Sequence, residues 1–125
     1  MQTVLLVNDD PDFLEALAQV LDLEGYTIAT ATSCDDALQL ADTLRPQVIV
    51  SDYKMGDGDG VTFLERLRDR GSCLNVPKFL LSGSNADEIR GRLRAAGLDV
   101  PILSKGDSVD RLLQAMRGST HALAG

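Results

Sequence analysis

The sequence predicts an α/β fold with a parallel central sheet, and two observations carry that prediction. Five short apolar or β-branched runs alternate with five longer segments of helical period. Most of the runs are continuously apolar rather than alternating, as strands covered on both faces require. The 125 residues, 44% hydrophobic and 25% charged, are enough for one compact domain with its own core.

The strands are read as Val4–Val7, the alternating stretch Tyr26–Thr30, Val48–Val50, Phe79–Leu81 and Val100–Leu103. The first helix opens on Asp10 as N-cap with Pro11 at its first position, carries Leu14, Leu17 and Leu21 on one stripe, and closes at Gly25. The second opens on Ser33 and Asp36, which resemble a capping box, repeats Ala37, Leu40, Ala41 and Leu44, and stops at Arg45-Pro46. The third runs from Val61 to Arg70 with Val61, Leu64 and Leu67 inward, and Gly71 ends it. The fourth, Ala86–Ala96, turns only Ile89, Leu93 and Ala96 inward and holds Gly91 at mid-helix, which costs about 1 kcal/mol relative to Ala. The fifth has a full inward stripe of Val109, Leu112, Leu113 and Met116. The domain is expected over residues 1–118 and a frayed tail over 119–125, with the single histidine, His121, exposed and idle.

A net charge of −7 and a pI near 4.5 argue against nonspecific wrapping of nucleic acid or an anionic membrane, and point to proteins or metal cations as partners. The charge is uneven, since residues 1–44 hold nine carboxylates and no Lys or Arg. Cys34 and Cys73 have no companion Cys or His at metal-ligand spacing and read as reduced thiols of a cytoplasmic protein. No apolar stretch reaches the ~20 residues of a membrane span, and the N-terminus enters a strand directly, without a signal-peptide pattern.

In a doubly wound sheet, ligands bind beyond the carboxyl ends of the strands where the strand order reverses. Here the first strand ends in Asn8-Asp9-Asp10, the third in Ser51-Asp52, the fourth in Ser82-Gly83 and the fifth in Ser104-Lys105. Clustered carboxylates repel unless a divalent cation or a lysine neutralises them, and hard oxygen donors suit Mg²⁺. Asp10, ahead of Pro11, reads as a helix cap, whereas Asp52 follows a buried run and precedes a long loop, which places it at the mouth of the pocket. Asp57-Gly58-Asp59-Gly60 suggests a calcium loop, but Met55 and Arg66 stand where an EF-hand needs carboxylates, so that reading fails.

In this order and spacing, Asn8-Asp9-Asp10-Pro11, Asp52 with Met55 and Asp59-Gly60, Ser82-Gly83 and Lys105 resemble the response-regulator receiver domain over essentially the whole chain. The resemblance implies a flavodoxin-like, doubly wound (βα)5 fold with strand order 2-1-3-4-5. It also implies a bacterial, cytoplasmic two-component signalling protein whose Asp52 accepts a phosphoryl group from a sensor histidine kinase or histidine phosphotransfer protein. Mg²⁺ (or Mn²⁺) would be held by Asp9, Asp52 and the backbone carbonyl of Lys54, with Asn8 acting through a water. Ser82, beside Gly83, would hydrogen-bond the phosphoryl group, and Lys105 would pair with it. The side chains of Lys54 and Ser84 occupy positions that tune phosphoryl lifetime. Only self-phosphorylation and self-dephosphorylation chemistry is expected, not an enzyme acting on outside substrates.

Several residues depart from the family pattern. Asn8 replaces one of two usual acids, which predicts weaker Mg²⁺ binding. Ile102 stands where an aromatic switch residue is frequent, Ser82 replaces the commoner Thr, and Gly56 and Gly106 replace prolines, leaving their loops looser. Signalling is expected through the face of the fourth helix, fifth strand and fifth helix toward an output protein, as a monomer or a phosphorylation-dependent dimer. The acidic first helix is read as a kinase-docking face, and Arg90, Arg92 and Arg94 as an output or dimer face. The rival readings are a receiver-fold binding module with little phosphorylation and an Mg²⁺-dependent phosphohydrolase. The second lacks an Asp-x-Asp pair after the first strand, and a flavodoxin-like cofactor carrier lacks the glycine fingerprint.

Overall fold

Side chains of a strand alternate between its two faces, so a strand that is apolar at every position has to be covered on both. β1 (Thr3–Val7), β3 (Val48–Asp52) and β4 (Lys78–Ser82) hold such apolar runs at Val4–Val7, Val48–Val50 and Phe79–Leu81, and are buried at every residue except the first of β1 and of β4. The computed structural model of the protein describes residues 2–83, 86–104 and 109–124, with 119–124 as backbone only. These strands join β2 (Thr27–Ala31) and β5 (Ile102–Ser104) in one parallel sheet of order β2-β1-β3-β4-β5, the predicted order.

The alternation separates two cores. Val4 and Leu6 of β1, Val48 and Val50 of β3, and Phe79 and Leu81 of β4 pack with α1 (Pro11–Leu23) and α5 (Val109–Ala124). Leu5, Val7, Ile49 and Leu80 point the other way, onto α2 (Cys34–Leu44), α3 (Gly60–Asp69) and α4 (Ala86–Ala96). No helix of the described residues is long and apolar enough to cross a membrane.

Local chemistry sets the helix ends. The Asp10 carboxylate accepts from the Asp12 and Phe13 amides at 3.1 and 3.3 Å with Pro11 next, and Gly25 (φ +96°) follows the C-cap Glu24. Ser33 Oγ accepts from the Asp36 amide at 3.1 Å. The inward stripe of α2 differs from the one expected: Cys34, Ala37, Leu38 and Ala41 are buried while Leu44 is 43% exposed. This is the same periodicity begun one turn earlier, and Arg45 in the left-handed region (φ 50°) ends the helix there. α4 buries only Ile89 and Leu93, as expected of a thinly anchored helix.

Several boundaries shift by a residue or more. β2 begins at Thr27 rather than Tyr26. β5 begins after Pro101, which has no N–H to give the ladder although its carbonyl accepts from Leu80 at 3.0 Å. α5 continues as helical backbone to Ala124, past the boundary expected at 118, since Gly118 keeps its amide and no proline follows it. The His121 side chain lies outside what is described.

Two glycines give opposite predictions. A Cβ at Gly60 would lie 2.5 Å from the Asp52 carbonyl oxygen and 2.7 Å from Leu80 Cδ2, whereas one at Gly91 meets nothing within 4 Å. Urea unfolding should show Gly60→Ala less stable by about 1–3 kcal/mol and Gly91→Ala more stable by about 0.5–1 kcal/mol.

Candidate functional site

The strand order reverses between β1 and β3, and the crevice beyond their carboxyl ends is where polar groups appear. In register, Val7 faces Ser51 and Asp52 faces Leu81, so Asn8, Asp52 and Ser82 stand at the carboxyl ends of three neighbouring strands. All three are buried, at 2%, 3% and 3% exposure, while Asp9 beside them is exposed. Ser82 pairs in register with Ser104, and Gly83 after it is exposed. Lys105 and Ser84, assigned to the phosphoryl site from the sequence, and Gly106 lie outside the described residues.

Asp52 is held by its own chain. Its Oδ1 accepts from the Tyr53 amide at 2.9 Å, an amide shared with the Leu81 carbonyl at 3.1 Å. The Ser51 hydroxyl donates to the Asp52 carbonyl at 2.9 Å, and the Gly60 amide closes the following loop on the Tyr53 carbonyl at 2.7 Å. Asn8 Oδ1 accepts from the Asp10 amide at 2.9 Å, while its buried Nδ2 finds no partner among the described residues.

The loop between β3 and α3 folds into a two-residue antiparallel ladder, Lys54–Met55 against Gly58–Asp59, with Met55 buried and Lys54 exposed. Its acids serve neighbouring helices. The Asp57 carboxylate accepts from the Cys34 amide at 3.1 Å through each oxygen, capping α2 from outside, and this amide holds its pKa below the usual carboxylate value. Asp59 Oδ1 caps α3 through the Thr62 amide at 2.9 Å. Burial by itself would raise the Asp59 pKa, but the Thr62 amide and the Arg92 guanidinium outweigh it and hold it low. The failure of the calcium-loop reading thus has a structural counterpart, because both acids are spent on helix caps. Burial pushes the Cys34 thiol, beside Asp57, up to about 12, so it is neutral at pH 7. Both cysteines are free thiols.

The three arginines of α4 do not form the single face expected of them. Residues two apart on a helix point about 200° away from each other, so Arg92 turns in while Arg90 and Arg94 stay exposed. Arg90 pairs with Asp87 of its own helix at 2.9 Å. Arg92 pairs with Asp59, donates to the Tyr53 hydroxyl at 3.2 Å and Thr62 Oγ1 at 3.4 Å, and lies 5.8 Å from the Tyr53 ring centroid. Asp57, Tyr53 and Thr62 were not singled out from the sequence as contributors to this site. The i+2 offset separates the faces of Arg90 and Arg92 but does not say which of them finds a partner across the fold. Ile102 is half-buried against the core shared by α2, α3 and α4.

Over residues 4–117 the chain matches the family described as the response regulator receiver domain. It is 36% identical over 124 residues to the C4-dicarboxylate transport transcriptional regulatory protein DctD of Pseudomonas aeruginosa, covering 91% of this chain and 26% of that protein. To the probable transcriptional regulatory protein TcrX of Mycobacterium tuberculosis it is 34% identical, covering 92% of this chain and 48% of that protein. This chain belongs to the response regulator receiver domain family. The chain thus spans a quarter to about half the length of these two relatives. The fold superposes on a two-component response regulator from Clostridium difficile with a TM-score of 0.88 at 20% identity, covering 100% of both chains. With the chemotaxis protein CheY4 of Vibrio cholerae the TM-score is 0.87 at 26% identity, covering 95% of this chain and 98% of that one.

Receiver domains of two-component systems are typically non-enzymatic phosphoacceptors that work with a histidine kinase and generally use Mg²⁺. The residues of this receiver domain fit a hard cation in part. The loop after Asp52 returns over the first strand end, so that a Cβ at Gly56 would lie 3.8 Å from Asp9 Oδ2, and carboxylate oxygens are the donors such a cation takes. Among the described residues no group of three or more His, Cys, Asp or Glu is placed to hold a metal ion, and the residue buried at the end of β1 is an amide, Asn8. Asn8 Nδ2 is a donor and cannot ligate a cation.

Asp59, with a folded-state pKa below the ordinary 3.8, contributes stability that is present in full above that value and lost as pH falls through the lower one. Asparagine caps a helix as well as aspartate does but does not titrate. Asp59→Asn should therefore be less stable than wild type at pH 7 and lose less on acidification below pH about 4. Parallel acid limbs in urea midpoints of the two proteins would refute this.

Proposed function

We propose that this receiver domain takes a phosphoryl group onto Asp52 from the phosphohistidine of a sensor histidine kinase or histidine phosphotransfer protein, and signals by changing its protein contacts. The observation that carries this reading is the placement of Asp52, a buried carboxylate at the strand-order reversal with Oδ1 oriented by the Tyr53 amide and Ser82 buried at the end of the neighbouring strand.

A carboxylate oxygen of Asp52 attacks phosphorus as the phosphorus–nitrogen bond breaks, the imidazole leaves with the bond's electrons, and an acyl phosphate remains. Phosphoryl transfer depends mainly on positioning and on neutralising spread negative charge. Mg²⁺, when bound, supplies that neutralisation. Asp9, Asp52 and the Lys54 carbonyl are the groups assigned to hold it, with Asn8 acting through a water. Ser82 donates to a phosphoryl oxygen, and Lys105 supplies a fixed positive charge. Lys54, whose side chain is exposed, and Ser84 are assigned to tuning the lifetime of the acyl phosphate. The output is assigned to the face of α4, β5 and α5, and kinase docking to α1, which presents Asp12, Glu15 and Asp22 to solvent. Neither nucleic acid nor membrane is assigned as a direct partner.

A second reading, a binding module seldom phosphorylated, draws on Asn8. One lone pair of its amide oxygen is engaged by the Asp10 amide, and it brings no charge to the site.

The two readings part on intact mass after incubation with Mg²⁺ and a small acyl phosphate. Wild type should gain one phosphoryl group and Asp52→Asn none. Asn8→Asp should tighten Mg²⁺ on the order of tenfold. A wild-type mass that stays unchanged, with uptake appearing only in Asn8→Asp, would establish the binding module instead.

A further inference from the structure

α4 has little apolar hold on the domain. Ile89 and Leu93 are its only buried side chains, and Gly91 leaves the middle of the helix without a Cβ. Arg92 supplies a different kind of hold. From mid-helix it reaches the phosphoacceptor loop twice, at Asp59 and at the Tyr53 hydroxyl, and the first turn of α3 once, at Thr62 Oγ1. Its side chain is 36% exposed and that of Asp59 25%, so this pair is more shielded than any other ion pair among the described residues. Tyr53 is 7% exposed, and its amide is the one bound to Asp52 Oδ1, so one residue touches the phosphoacceptor with its backbone and α4 with its side chain. A separate side-chain bond, Arg68 Nη1 to the Ala96 carbonyl, joins the terminus of α4 to α3 and leaves the loop out.

We propose that Arg92 is a positioning residue that couples the phosphoacceptor loop to α4, so that displacement of residues 53–59 is passed to the helix through the guanidinium. Phosphorylation as the natural trigger rests on the reading of Asp52 given above; the mechanical link does not. Ile102, an aliphatic side chain packed on the same core, has no polar group with which to make such a link. A guanidinium suits the task because its planar fork can hold a carboxylate, a phenol and a hydroxyl together, which a lysine ammonium on a flexible stem cannot do as well.

Hydrogen exchange read by mass spectrometry on the whole chain tests the link in both directions without phosphorylation. Arg92→Ala should raise exchange about tenfold in segments 53–60 and 86–96, the scale of one lost charge-assisted hydrogen bond. Asp59→Asn, which keeps the α3 cap, should raise exchange in 86–96, and Arg92→Lys should fall between wild type and Arg92→Ala. Arg68→Ala should raise exchange in 86–96 and leave 53–60 as it was. An Asp59→Asn protein with unchanged exchange in 86–96, or an Arg92→Ala protein with unchanged exchange in 53–60, overturns the coupling. With Mg²⁺ and acetyl phosphate added, Arg92→Ala should still gain a phosphoryl group by intact mass while segment 86–96 loses the response that wild type shows. A response equal to that of wild type overturns the proposal. Absence of phosphoryl uptake in wild type defeats the Asp52 reading alone, since the reciprocal exchange results still decide the link.

Discussion

The burial of β1, β3 and β4 on both faces is the constraint from which the rest follows. A strand enclosed by two helical layers can carry only apolar side chains along its length, and every backbone amide must be paired in the ladder. Because the ladder is parallel, all such strands run out of the core at one edge, where Asn8, Asp52 and Ser82 stand. The chemical groups gather there because it is the first place beyond the apolar layers where polar groups can be served by loop amides and solvent. Asp52 still sits almost out of water, a costly position for a charge unless hydrogen bonds accept it, and the Tyr53 amide is part of what makes that position tenable.

The loop from Tyr53 to Asp59 connects this edge to the helices behind it. Helix N-termini present unpaired amides and a positive dipole end, and Asp57 and Asp59 answer those of α2 and α3. The acids that look like a cation loop in the sequence are thus structural caps that set where the loop lies. Arg92 adds α4 to the same bracket. Three helices on one face of the sheet are referenced to the segment that follows Asp52.

The uneven charge of the chain is partly balanced across elements. Glu24 pairs with Arg117, Asp35 with Arg66 and Asp42 with Arg70, each joining the acidic first third to the more basic remainder. These pairs are 38–78% exposed, and surface pairs of that kind contribute little to stability. Their weight lies in where they leave the net charge: α1 keeps Asp12, Glu15 and Asp22 exposed.

Most of the fold was legible in the sequence. The continuous runs of β1, β3 and β4, the cap Asp10-Pro11, the stripe Leu14-Leu17-Leu21 and the thin anchoring of α4 depend on period, local sterics and hydrogen bonds within a few residues. The row of strand ends followed from the same rules, given a parallel sheet. The burial of Leu38 in place of Leu44 was not legible, because two stripes of one period differ only in which of them the sheet covers. Nor were the bonds from Asp57 to Cys34, 23 residues away, and from Arg92 to Asp59, 33 residues away. By itself the sequence determined which residues form strands and helices and which polar groups stand at the strand ends, because those are local matters of period and capping. Only the tertiary structure decided that Asp57 caps α2 and that Arg92 turns inward, because those partners meet only when the helices close on the sheet.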